Sequence, residues 1–258
     1  MVVDHLLARG ASDVRALTAD PERAALPPEV EAVRGSMRRP ETLREAFEGV
    51  ERFYLAPSPE TVGPVLATAR EAGATHVVDL SGEPESWWGS VSGAVEASGL
   101  AWTHLWPADF VENVRMWLPQ IRATGQVREP DPDASSTPTA MDDIAEVAAV
   151  ALLCDDHAGH AYPLTGPEPV SRVQMVRAIA EVTGRDVEFV TSTPEETAAA
   201  LRPGMGEDAD WFVHNVLPYL SGNEPAPNRL VEDITGRPGT TFTAWAHTHA
   251  ADLRAALS

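Results

Sequence analysis

Short apolar runs alternate with segments of helical period through the first half of the chain. Residues 1–10 read as a helix that stops at Gly10, and 13–17 as a buried strand. A second strand covers 30–33, and Pro40 opens a helix over 41–48. The run 52–56 is a strand stopped by Pro57, and 60–72 is a helix ended by Gly73, a residue favoured just past a helix C-terminus. A strand over 76–80, a helix over 91–97 closing at Ser98-Gly99, and a strand over 101–106 halted by Pro107 complete the series. This strand–helix rhythm, with nearly continuous apolar strands, implies an α/β fold: a parallel sheet covered on both faces.

The second half is organised differently. Residues 129–138 form a Pro/Asp/Ser-rich loop, Asp142 or Asp143 caps a helix over 144–154, and 162–165 is a short extended piece. Ser171 caps an amphipathic helix over 173–182 that ends at Thr183-Gly184. A strand over 187–190 precedes a strong helix start at Thr193-Pro194-Glu195-Glu196, and the tail holds helices around Trp211, Val231 and Trp245. The expected division is a sheet domain over 1–128 and a small C-terminal α/β lobe over 129–258. The lobe covers a substrate, and its segments return to the main sheet.

The opening helix is out of place. In a dinucleotide-binding unit, a strand and a glycine-rich turn come first, and the turn's amides with the helix N-terminus hold the pyrophosphate. The expectation is that the chain works without that cradle, or that its true start lies upstream. A missing first strand would also uncover Val14, Ala16 and Leu17, so a homodimer, or a loop of the chain filling the gap, is expected.

Composition narrows the chemistry. All 19 basic residues among the 258 are arginine, so lysine nucleophiles, Schiff bases and a lysine beside a catalytic tyrosine are excluded. A net charge of −20 argues against nucleic acid and anionic membranes as partners. The single cysteine, Cys154, ends an apolar helix and reads as packing. No signal peptide or spanning segment is evident, so the expected location is cytoplasmic.

Parallel strands place all their C-termini on one edge, where ligands bind. That edge carries Thr18-Ala19-Asp20, Ala56-Pro57-Ser58, Ser81-Gly82-Glu83 and Pro107-Ala108-Asp109-Phe110. Trp87, Trp88, Trp106, Phe110, Asn113, Met116 and Trp117 gather near it and suit a flat, largely apolar ligand. Asp109 is the main acid/base candidate, its competing role being a helix cap. His104, inside a strand, is a candidate weighed against a satisfied core histidine. His157 and His160 beside Asp155-Asp156 are closely spaced but on a turn and without cysteine support, and His247 and His249, two apart, diverge on a helix, so no metal is expected.

The series of short matches resembles the NmrA-like group of atypical short-chain dehydrogenase/reductases. It runs from Val14-Arg15-Ala16-Leu17-Thr18 and Pro40-Glu41-Thr42-Leu43, with Glu48-Gly49-Val50, through Ala69-Arg70-Glu71-Ala72-Gly73. It continues with Ser98-Gly99-Leu100-Ala101-Trp102-Thr103 and Asp143-Ile144-Ala145-Glu146-Val147-Ala148. Tyr162-Pro163-Leu164-Thr165-Gly166-Pro167 and Thr235-Gly236-Arg237-Pro238 complete it. The resemblance implies a Rossmann-like domain, NADP or NAD as cofactor, and reduction of a small apolar, quinonoid or carbonyl compound. It also implies cofactor contacts at Thr18, Arg23, Ala56, Pro57, Ser81, Gly82 and Pro107, with Ser92 facing the nicotinamide.

The sequence departs from that family where cofactor would bind. Ala19 stands where relatives often carry an arginine for the 2′-phosphate, and Arg23 is the nearest substitute. Gly35-Ser36-Met37 lacks an acidic residue, Trp106-Pro107 replaces an arginine before proline, and no Tyr-x-x-x-Lys pair exists. Three functions therefore stand: an NAD(P)H-dependent oxidoreductase with a degenerate cofactor site, a cofactor-independent isomerase, cyclase or lyase using the nicotinamide cavity, or a non-catalytic ligand or redox sensor.

Overall fold

The computed structural model describes residues 1–56, 58–218 and 225–258. They form two compact units, neither continuous in sequence. The first is Met1–Pro107 with Asp142–Leu164 and Leu230–Gly236; the second is Ala108–Met141 with Thr165–Arg229 and Arg237–Ser258. The division thus falls after Pro107 and not at 128, and the chain re-enters the first unit twice.

In chain order the strands are β1 (Val14–Thr18), β2 (Val30–Arg34), β3 (Arg52–Leu55), β4 (His76–Leu80) and β5 (Ala101–Leu105). They continue with β6 (Gln126–Glu129), β7 (Ser135–Ser136), β8 (His160–Tyr162), β9 (Val170–Ser171) and β10 (Glu188–Thr191). The principal helices are α1 (Val2–Ala8), α2 (Val62–Glu71), α3 (Gly89–Glu96), α4 (Leu118–Thr124), α5 (Met141–Leu153), α6 (Arg172–Thr183) and α7 (Pro194–Met205).

In the first unit β3, β4, β5 and β8 form a wholly parallel sheet in that order, and β1 pairs in parallel with β2. Four of the five residues of β4 are buried, as a strand covered on both faces requires. Leu55, Val65, Ala69, Val77, Val91 and Val95 are core members drawn from β3, α2, β4 and α3. Each fully buried aliphatic side chain contributes about 1.5–3 kcal/mol over its exposed state. Arg9 to Glu146 and Arg52 to Asp155 tie the returning segment 142–164 to the strands and to α1.

The second unit is mainly helical. Trp117, Ile121, Val127, Met175, Ile179, Leu201 and Trp245 belong to its core. Ser171 caps α6 through its Oγ, which accepts from the Gln174 amide, and Gly184 closes the helix at φ 69°. Thr193 and Glu196 cap α7 reciprocally.

Three expected elements take another form. Over 41–48 there is only a 3-10 turn, Pro40–Thr42, followed by turns. Leu43 and Phe47 are buried, four residues apart, and a single helix-like bond joins the Phe47 amide to the Leu43 carbonyl at 3.0 Å. After Asp109 the chain makes a 3-10 helix, Val111–Trp117, before α4 begins. Pro119 has no N–H to return to the turn before it, so an α ladder cannot run through that point. Residues 126–129 form β6, parallel to β10, and Glu129 closes this strand where a loop was expected to begin.

Candidate functional site

The ends of the parallel strands in the first unit bring most of the expected cofactor residues to strand termini. Thr18 ends β1, and its Oγ1 accepts the Asp20 amide. Ala56 follows β3 and is exposed; Pro57 lies outside the described residues. Arg23 sits exposed on a turn. Arg34, at the end of β2, donates to the Ala19 carbonyl at 2.9 Å and lies 3.8 Å from Asp20, with its side chain 68% exposed. It was not among the expected residues, because only the β1–β2 register brings it beside Ala19.

Ser81 ends a small polar network at the next termini. Trp106 Nε1 donates to Ser81 Oγ at 3.2 Å, while Ser92 Oγ lies 3.1 Å from that oxygen and donates to the Gly82 carbonyl at 2.6 Å. Ser92 therefore joins α3 to the end of β4, Ser81 carries the link on to Trp106 after β5, and the Ser92 hydroxyl contacts carbonyl and hydroxyl oxygens rather than a base. A Cβ on Gly82 would approach Ser86 Oγ to 2.5 Å, so this loop packs closely without a side chain there. Trp87 and Trp88 are 45% and 38% exposed, and Pro107 ends the first segment of the unit.

His104 lies in the interior of the sheet. Its Nδ1 donates to Asp79 Oδ2 at 2.6 Å, and both side chains are wholly buried. Its ring stacks between Trp102 and Trp106, with centroids 4.2 and 5.6 Å away, and Glu96 Oε1 lies 3.6 Å from Nε2. Burial, aided by the Asp79 carboxylate, pushes the Tyr54 hydroxyl up to about 12. These contacts make His104 a core histidine with a fixed partner.

The second unit holds the other expected residues together. Asp109, Phe110, Asn113, Met116 and Trp117 line one cavity with Glu129, Arg172, Met175 and Phe212. The cleft is about 310 Å³ counted out into open solvent, and the whole of it has room for about one water. Its polar end is built around carboxylates. Asp109 Oδ1 accepts from the Phe110 amide at 2.8 Å and Asn113 Nδ2 at 2.7 Å, and Oδ2 accepts from Ser136 Oγ at 3.0 Å. Glu129 Oε1 accepts from Trp117 Nε1 at 2.7 Å. Arg172 lies between them, 3.4 Å from Glu129 and 3.9 Å from Asp109. Burial raises the Glu129 carboxyl above its usual range, against the pull of Arg172.

Glu129 and Arg172 were not legible as site residues. The first follows a polar, charged stretch, and the second follows a capping serine at the start of a helix, where arginine is ordinarily solvated. Among the described residues no group of histidine, cysteine and acidic side chains could hold a metal, and Cys154 is half-buried. No helix among them is long and apolar enough to cross a membrane.

No protein-family model matches the sequence. The chain is 33% identical over 248 residues to an NAD(P)H azoreductase of Xenophilus azovorans, spanning 88% of this chain and 85% of that protein. It is 30% identical over 255 residues to a (4-alkanoyl-5-oxo-2,5-dihydrofuran-3-yl)methyl phosphate reductase of Streptomyces griseus, spanning 93% and 90%. An NADPH-dependent quinone oxidoreductase from Escherichia coli, solved with NADPH, superposes with a TM-score of 0.82 at 19% identity over 96% of this chain and 94% of that one. That likeness shows a Rossmann-like α/β fold. Identity at this level over nearly the whole length places the protein among the NAD(P)-binding reductases of the atypical short-chain dehydrogenase/reductase superfamily; it belongs to that family of oxidoreductases.

Proposed function

We propose that the protein is an NmrA-like NAD(P)H-dependent reductase of a small, largely apolar carbonyl or quinonoid compound. The observation that carries this reading is the 33% identity, over most of both chains, to a protein named NAD(P)H azoreductase. The ends of β1 and β2 fit the adenosine end of such a cofactor. Arg34 offers an exposed guanidinium for a 2′-phosphate, and Asp20 and Thr18 offer partners for ribose hydroxyls. Ala56, Ser81, Gly82 and Pro107 supply further strand-end backbone for the cofactor's remainder. When bound, the cofactor supplies a hydride.

The chain's own groups bind and orient. In the second unit's cavity, Phe110, Met116, Met175 and Phe212 form apolar walls for the acceptor. Asp109, engaged by three donors, fixes Asn113 and the Phe110 amide there. Without lysine in the chain, no tyrosine–lysine pair delivers the proton. The test is turnover of NADPH and of NADH with a panel of neutral quinones, azo dyes and enones. NADPH-dependent reduction is expected, with Arg34→Ala raising the KM for NADPH about tenfold and changing that for NADH little. Reduction of no acceptor by either nucleotide would sink the proposal.

A further inference from the structure

We infer that Arg172 is the specificity-determining group of the second unit's cavity: held between Glu129 and Asp109, it receives the neutral carbonyl oxygen of an aromatic ligand and discriminates against anions. This rests on reading the cavity as the substrate's site.

Arg172 is 6% exposed, yet its donors are poorly served. Nε makes no hydrogen bond, although Glu129 Oε2 stands 3.4 Å away. One terminal nitrogen donates to the Met175 sulfur, a weak acceptor, at 3.7 Å, and Asp109 Oδ2 stands 3.9 Å from that same nitrogen, too far for a hydrogen bond. Both oxygens of Asp109 already accept from Phe110, Asn113 and Ser136, and Glu129 Oε1 accepts from Trp117; Glu129 Oε2 faces Nε at 3.4 Å without bonding it. A buried guanidinium short of acceptors is costly, and an oxygen brought in by a ligand relieves it.

The charge of the cluster decides which oxygen. With both carboxyls ionised, the three groups sum to one negative charge; with Glu129 protonated, as its burial favours, Arg172 and Asp109 cancel. Neither state offers the net positive charge that a carboxylate or sulfonate needs to leave water. A ketone or quinone oxygen loses far less hydration and can still accept from Nε–H.

The walls suit an aromatic body that must make its own room. Met116 and Met175 are adaptable side chains. Phe212 opens a π-helical turn, Phe212–Val216, a conformation that is rare and recurs at functional sites.

The test compares three ligands of nearly one shape, by calorimetry, on the whole protein without nicotinamide present. They are 2-acetylnaphthalene, 2-naphthoate and 2-ethylnaphthalene. The ketone should bind at least about tenfold more tightly than either other ligand, and Arg172→Gln should bring it within about threefold of 2-ethylnaphthalene. Binding of the carboxylate or the hydrocarbon as tight as that of the ketone, no binding of the ketone, or an unchanged preference in Arg172→Gln would overturn the inference. Should that variant not fold, the three-ligand ranking on the native protein still decides. Because no turnover is read, a failed ranking leaves the reductase proposal standing, and a failed reductase assay leaves the ranking intact.

Discussion

His104 Nδ1 donates a 2.6 Å hydrogen bond to Asp79 Oδ2 between adjacent parallel strands, with both side chains wholly buried. The residues are direct register partners, so the ladder itself sets the contact. The bond fixes the proton on Nδ1 and holds the imidazole flat between Trp102 and Trp106. Removing one member leaves the other buried and unpaired. Asp79→Ala should therefore cost about 3–5 kcal/mol in urea unfolding, and Asp79→Asn, which keeps an acceptor, clearly less. Equal losses would mean that the carboxylate charge, which both variants remove, and not the acceptor or the filled volume is what His104 requires.

Asp109 separates two roles. Its oxygens serve the Phe110 amide, Asn113 and Ser136, so Asp109→Asn should lower stability by about 1–3 kcal/mol and raise KM, with kcat kept within about threefold. A hundredfold fall in kcat at unchanged KM would instead assign it acid/base chemistry.

Glu129 gives a pH signature with a definite sign. Its carboxyl titrates higher in the folded protein than in the unfolded chain, because burial penalises the charge. The folded state then holds more protons between the two values. This contribution to stability is complete below the unfolded value near 4.5 and is lost as pH rises through the folded one. Thermal melts of the native protein and Glu129→Gln from acid to neutral pH should show the variant gaining relative stability as pH rises. A constant difference would mean that Glu129 is not desolvated. His76 has the opposite sign: burial lowers its value, so its contribution is lost as pH falls below 6.5.

The sheet was legible because its strands are apolar runs punctuated by Pro57, Gly73, Gly99 and Pro107, and the caps Ser171 and Thr193 act locally. Cavity residues 109–117 were legible for a similar reason, since they follow one strand within a single short segment. Three others were hidden. Arg34 acts through a strand register, while Arg172 and Glu129 come from an exposed-looking helix start and a charged strand that meet only on folding. Helical period misled at 41–48, where Leu43 and Phe47 are buried four residues apart as in a helix but the backbone forms only a 3-10 turn and further turns.

As proposed, this chain moves hydride from a dihydronicotinamide to a bound neutral acceptor. The most direct measurement is the stoichiometry of NADPH loss against acceptor consumed, with oxygen excluded and a naphthoquinone as acceptor. One NADPH should be oxidised for each quinone reduced, with the rate saturating in both reactants. Quinone bound tightly but left unreduced, with NADPH unchanged, would contradict it and leave a binding protein or a cofactor-free enzyme in its place.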